Sequence, residues 1–265
     1  MNKILGSVKK SVFLLSIAVL FKKLVKMTLN LIFYYYEKLR FVTCLYAIAA
    51  SAQYCSIQKG QKLYYEVLTG KKKTETYTSV VNVEKVNDST FITLGDFVPK
   101  MNEKMKDTLF YQKVAYANNN TLIYLQDGES MKDNICGMMA EALNKKDMTS
   151  AKAKFDTNGK ICLLLNEKRQ KGEKIESDEM TIRIKPVTMT VSMKGQYEGT
   201  ETISTPAGEF DCVKVTYSMK VKFFMFSDES QVAEWYAKGV GLVKHEESSR
   251  KLGQKMTKIL TKIEN

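Results

Sequence analysis

The clearest pattern in the chain is strict alternation. Val213, Val215, Tyr217, Met219, Val221 and Phe223 fall on one set of positions, with Lys214, Thr216, Ser218, Lys220 and Lys222 between them. A period of two predicts a strand with one buried and one wet face, since a helix would scatter both sets. Thr205-Pro206-Ala207-Gly208 precedes it as a turn: Pro206 presets φ at the first corner and Gly208 accepts positive φ just after. The polar stretch Tyr197 to Ser204 is then the other arm of a hairpin. Asp228-Glu229-Ser230 reads as the next turn, Gln231 to Ala237 as a strand holding Trp235 and Tyr236, and Gly239 with Gly241 as a bend before an extended Leu242 to Glu246.

Upstream, shorter runs repeat the theme. Leu63 to Leu68, Thr76 to Val86 and Thr90 to Leu94 read as strands joined through Thr69-Gly70 and Asn87-Asp88. Asn118 to Asn120 predicts a hairpin loop between Leu109–Tyr116 and Leu122–Leu125. Asn158-Gly159 predicts another, between Lys152–Asp156 and Ile161–Leu165. Met180, Ile182 and Ile184 alternate on one phase and Val187, Met189, Val191 and Met193 on the other, so the chain bends, or lies at a sheet edge, at Pro186. Met256 to Ile263 is the last strand. One stretch keeps a different period: Ile135, Met138, Met139, Ala142 and Leu143 recur at three and four, predicting a helix over 130–146 that covers the sheet. The expected fold is mainly β, a curved antiparallel sheet or open barrel with one covering helix.

Residues 1–52 differ from the rest. Ser11 to Phe21 is apolar but too short to span a bilayer comfortably. Phe41 to Ala50 follows Lys38 and Arg40 and ends in Ala50-Ser51-Ala52, the arrangement of a secretory signal peptide cut after Ala52. A translation start at Met27 would give that signal an ordinary length; the rival is an uncut membrane anchor made of both apolar runs. Membrane contact is expected only through this segment, if it stays uncut. The protein is then periplasmic or secreted, with residues 53–265 as one domain. The chain carries 41 basic and 29 acidic residues, net +12. Positions 1–52 hold eight of the basic and one of the acidic residues, leaving 33 against 28, or +5, which does not point to nucleic acid.

Beyond residue 52 the cysteines are Cys55, Cys136, Cys162 and Cys212. An even number in an exported chain suggests disulfides of undetermined pairing, against buried free thiols. There is no C-x-x-C spacing for zinc or redox chemistry, and a single His, His245, cannot build a two-His metal site. His245 lies between Lys244 and Glu246 and reads as an exposed strand-end residue. Asp127 with Glu129 and Asp228 with Glu229 read as solvent-facing turn residues. No catalytic signature appears, so no enzyme activity and no cofactor are expected.

The segments ISTPAGEFDCVKV (Ile203 to Val215) and EWYAKGVGLVKHE (Glu234 to Glu246), in this order and spacing, resemble the signature of TapB-like, or domain-of-unknown-function 3108-like, exported bacterial proteins. The resemblance implies export to the envelope and a curved sheet or open barrel similar to lipoprotein-carrier folds. It implies no catalytic residues, and structural roles for Pro206, Gly208, Trp235, Gly239 and Gly241. Two functions are expected. The first is binding of a lipid or other apolar ligand in the concave face, by Met138, Met139, Tyr217, Met219 and Trp235. The second is an interaction or structural module that sets the face of Lys214, Lys220 and Lys222 against an acidic envelope protein.

Overall fold

The computed structural model describes residues 53–98, 108–132, 155–175, 178–184, 187–223, 225–251 and 253–265. Thirteen strands follow in chain order: β1 (Lys62–Thr69), β2 (Lys72–Val86), β3 (Ser89–Val98), β4 (Thr108–Ala117), β5 (Asn120–Asp127), β6 (Phe155–Leu165), β7 (Lys174–Ile175), β8 (Glu179–Ile184), β9 (Val187–Thr205), β10 (Gly208–Phe223), β11 (Phe226–Ala237), β12 (Gly241–Ser249) and β13 (Lys255–Glu264). All pairings are antiparallel. The sheet closes because β9 pairs with β10 at one limit and β13 with β1 in the middle, giving a ring of twelve strands with β7 as a short addition to β9. The predicted antiparallel β fold is therefore present, and it goes one step beyond an open barrel.

The alternation read in the sequence lines the interior. Val215, Tyr217, Met219 and Val221 of β10 are buried, as are Val191 and Met193 of β9, while Lys220 and Lys222 point out. Leu94, Ile123, Ile161, Leu163, Met180, Val191, Met193, Val215 and Leu260 come from seven different strands and are all 0% exposed. Around these described side chains the interior is packed, and each of them contributes about 1.5–3 kcal/mol.

Several local expectations change. Asn158-Gly159 is not a hairpin: β6 runs through it and changes partner there, pairing with β5 over 160–165 and β8 over 155–159. Gly159 has φ 82°, and a Cβ would lie 2.2 Å from the Glu179 carbonyl oxygen, so only glycine permits the switch. The phase change around Pro186 is a full chain reversal, with Ile184 opposite Val187. Asp228 lies within β11 rather than in a turn. Of the predicted helix, residues 128–132 form a helical turn, with Asp127 Oδ2 accepting from the Ser130 amide at 3.3 Å; the remainder, with Cys136, Met138 and Met139, lies outside the described residues, as does 1–52.

Strand direction places the starts of β1, β5, β10 and β12 and the ends of β6, β9, β11 and β13 at one end of the barrel. Residues 53–61 form a strap at this end. Tyr54 N donates to Thr121 Oγ1 at 2.9 Å, Gly239 N donates to the Gln53 carbonyl at 2.7 Å, and Gln53, Tyr54, Cys55 and Ser56 are all buried.

Candidate functional site

Two polar assemblies stand out, one inside the barrel and one at the strapped end. The first follows from register. Glu234 of β11 is opposite His245 of β12, which is opposite Lys258 of β13, so a carboxylate, an imidazole and an ammonium form one inward row. His245 Nδ1 donates to Glu234 Oε1 at 2.9 Å, Tyr236 Oη donates to Glu234 Oε2 at 2.8 Å, and His245 Nε2 is 3.7 Å from Glu247 Oε2. Lys258 Nζ sits 4.2 Å from the centroid of the Tyr65 ring, a cation–π contact. On β2 and β3, Thr78 Oγ1 donates to Asp96 Oδ1 at 2.5 Å. Burial pushes the Asp96 carboxyl up to about 7, against the opposing pull of the Lys258 charge and the Thr78 hydrogen bond.

A carboxylate-oriented histidine resembles a general base, but geometry argues otherwise here. His245 is 1% exposed and Glu234 3%, so no substrate atom reaches them in this conformation. This also corrects the reading of His245 as an exposed strand-end residue. Asp228 is likewise buried at 8%, accepting from Ser249 Oγ at 2.9 Å and from the Glu229 amide at 2.8 Å.

The second assembly is a cleft of about 660 Å³ at the strapped end. The two signature segments meet there. Residues 209–213 of the β9–β10 hairpin form one wall and Ala237 with Lys238 of the β11–β12 turn another; Tyr54 of the strap and Asn166, Glu167 and Arg169 of the β6–β7 connection complete it. Pro206 and Ala207 make the tight turn, with Thr205 opposite Gly208, and Gly208, Gly239 and Gly241 have φ of 133°, 65° and 107°. Lys238 pairs with Glu167, and the Arg169 guanidinium lies 5.2 Å from the Tyr197 ring while pairing with Glu173. Thr202 Oγ1 donates to Asp211 Oδ1 at 2.7 Å and Ser204 Oγ to Glu209 Oε1 at 3.0 Å. Glu209 and Asp211 remain exposed, with hydroxyls rather than cations for partners, so this wall is acidic.

The thiol beside it, Cys212, is fully buried. Burial, with Asp211 and Glu201 adding to it, pushes Cys212 up to about 12. Burial likewise pushes the Tyr54 phenol up to about 12, helped by Glu167. Cys55, Cys162 and Cys212 are free thiols and not bridged to one another, which corrects the disulfide expectation for these three. Among the described residues, no group of three or more His, Cys, Asp or Glu side chains is placed to hold a metal ion.

Of the residues expected to bind an apolar ligand, three are described, and they do not share a face. Tyr217 and Met219 point into the packed interior, whereas Trp235 lies on the outer face, between the ammoniums of Lys214 (4.8 Å) and Lys244 (4.6 Å), with Nε1 donating to Glu201. Lys214 also pairs with Glu201 at 3.2 Å and Lys220 lies opposite Glu229, so two of the three lysines of the expected basic face have acidic neighbours. The strap and the 166–169 segment were not legible as site residues, because neither carries alternation or a motif.

A family model described as DUF3108-like matches residues 58–259. Two solved structures share the fold, each at 16% identity, covering 84% of this chain and all of the other. One is an inferred lipoprotein from Parabacteroides distasonis ATCC 8503, with a TM-score of 0.56. The other is a protein inferred to be exported, with a YmcC-like fold, from Bacteroides fragilis NCTC 9343, with a TM-score of 0.55. No curated protein sequence matches the chain.

Proposed function

This chain belongs to the DUF3108-like family, and from that premise we propose that it is an exported envelope protein that binds a basic segment of another envelope protein in the cleft at the strapped end. The observation that carries this reading is the contrast between interior and end. Inward side chains on seven strands are fully buried, while the recess of about 660 Å³ is framed by both segments of the family signature. Glu209 and Asp211 give its exposed wall a surplus of negative charge suited to Lys or Arg of a partner. Export is supported by the N-terminal pattern ending at Ala52 and by the descriptions of the two similar structures. A lipid held inside the barrel has less support, since a ligand pocket must first exist as a cavity.

The test is site-specific photocrosslinking in the native envelope from position 202, in the cleft, and from position 93, on the outer face of β3. Expected is a protein adduct from 202 only, lost when Glu209→Lys and Asp211→Lys are combined. Equal adducts from both positions, or an adduct unchanged by the charge reversal, would overturn the cleft. A lipid-sized mass that leaves the purified protein on denaturation would return the ligand to the interior.

A further inference from the structure

The outer face of β1 to β4 differs from the rest of the surface. Register places Lys262, Tyr64, Tyr77 and Phe97 in one outward row across four adjacent strands. Tyr77 and Phe97 are stacked, with centroids 4.8 Å apart and planes 8° apart, and Tyr64 lies 5.7 Å from Tyr77. Lys262 Nζ is 5.1 Å from the Tyr64 centroid and Lys62 Nζ 5.5 Å from that of Tyr77. Leu68, Phe91 and Tyr111 extend this face and are 43–46% exposed.

We propose that this face docks on a lipid bilayer carrying anionic headgroups. Hydroxyl-tipped rings beside lysines are the chemistry of the membrane interface: the rings enter the acyl boundary, the Tyr hydroxyls stay at headgroup depth, and lysine stems reach back to phosphate. Lys262 pairs with Glu264 and Lys73 with Glu66, whereas Lys62 on this face, and Lys71 and Lys72 at the β1–β2 turn, form no ion pair among the described residues and can meet lipid phosphates. A surface ladder of this kind also needs an apolar cover, since contiguous exposed apolar patches mark interaction sites. The strap runs directly into β1, and the sequence before it carries the apolar runs 11–21 and 41–50. The face is separate from the end cleft and makes no use of it, so either can fail without the other.

The full chain with Tyr77→Trp is mixed with vesicles of brominated phosphatidylcholine, alone or with brominated phosphatidylglycerol, and its fluorescence is compared with that of wild type to isolate the added indole. Ser218→Trp, on the outward face of β10, is the control position. Expected is quenching at position 77 by the anionic vesicles only, none at 218, and loss of quenching when Lys62→Glu and Lys262→Glu are combined in a chain whose far-ultraviolet circular dichroism is unchanged. A chain that floats with vesicles while position 77 stays unquenched would overturn the proposal, since the N-terminal segment alone would then hold it. Equal quenching at 77 and 218 would also overturn it. So would shielding of position 77 that grows with protein concentration without lipid, which would assign the face to a second copy of the chain.

Discussion

Glu234 and His245 face each other across β11 and β12 inside the barrel, Oε1 to Nδ1 2.9 Å, and both are almost fully buried. Removing the imidazole takes away the hydrogen bond that His245 Nδ1 gives to the buried Glu234 carboxylate. His245→Phe should therefore lower unfolding free energy by about 1–3 kcal/mol, the cost of leaving a buried hydrogen-bonding group without its partner. Urea denaturation followed through Trp235 measures it.

The Asp96 carboxyl gives a pH dependence with a definite sign. Its folded value, about 7, lies above the ordinary carboxylate range near 4. Between these values the folded chain binds the proton and the unfolded chain does not. Its contribution to stability is thus fully present below about 4, is lost as pH rises through about 7, and is level above that. Asp96→Asn removes this component, so the variant should gain on wild type between pH 5 and 8.5 in paired urea midpoints. A constant difference between the two proteins would contradict it.

Trp235 is held from outside by two lysine stems and the Glu201 carboxylate rather than by the core. Trp235→Ala should destabilise by about 3–5 kcal/mol, as for large aromatic truncations. Lys214→Met should lose far less, because its stem still covers the ring. Thermal melts of the two variants separate packing from charge.

Gly195 sits where β9 passes Tyr217. A Cβ there would lie 2.3 Å from the Thr216 carbonyl oxygen and 2.5 Å from Tyr217 Cβ. Gly195→Val should therefore prevent ring closure at the β9–β10 pairing, read as loss of soluble protein or of cooperative unfolding.

Cys212 should resist iodoacetamide at pH 8 in the folded protein and react once urea unfolds it, because its thiol is held near 12. Mass spectrometry of the labelled chain reads both states.

Most of the strands were legible because the sheet buries one face. The β10 alternation, the glycine at 70 and the asparagines at 87, 118 and 119 all name real strands and turns, and those three asparagines take positive φ. The errors share one cause. Asn158-Gly159 has the composition of a turn, yet tertiary pairing with β5 and β8 keeps it inside one strand, with Gly159 at positive φ. His245 has charged neighbours in sequence, but alternation sends Lys244 and Glu246 outward and His245 inward. Trp235 lies on the opposite face from Tyr217, a difference set by register across β10 and β11 and not by any local pattern. The cleft was hidden for a similar reason: its walls are far apart in the chain, and only barrel closure brings Tyr54 and Glu167 beside residues 209–213.

The pairing of β1 with β13 sets a schedule. Lys62 has Glu264 as its neighbour, so the first strand of the ring meets its second partner only once β13 exists. During synthesis, β2 to β12 can pair with their neighbours in turn, but the ring cannot shut until β13 is made. A chain truncated before Lys255 should leave the outer edges of β1 and β12 unpaired, both templates for another copy. β13 thus acts as the latch of the ring: with it the sheet seals itself, and without it two edges stay adhesive.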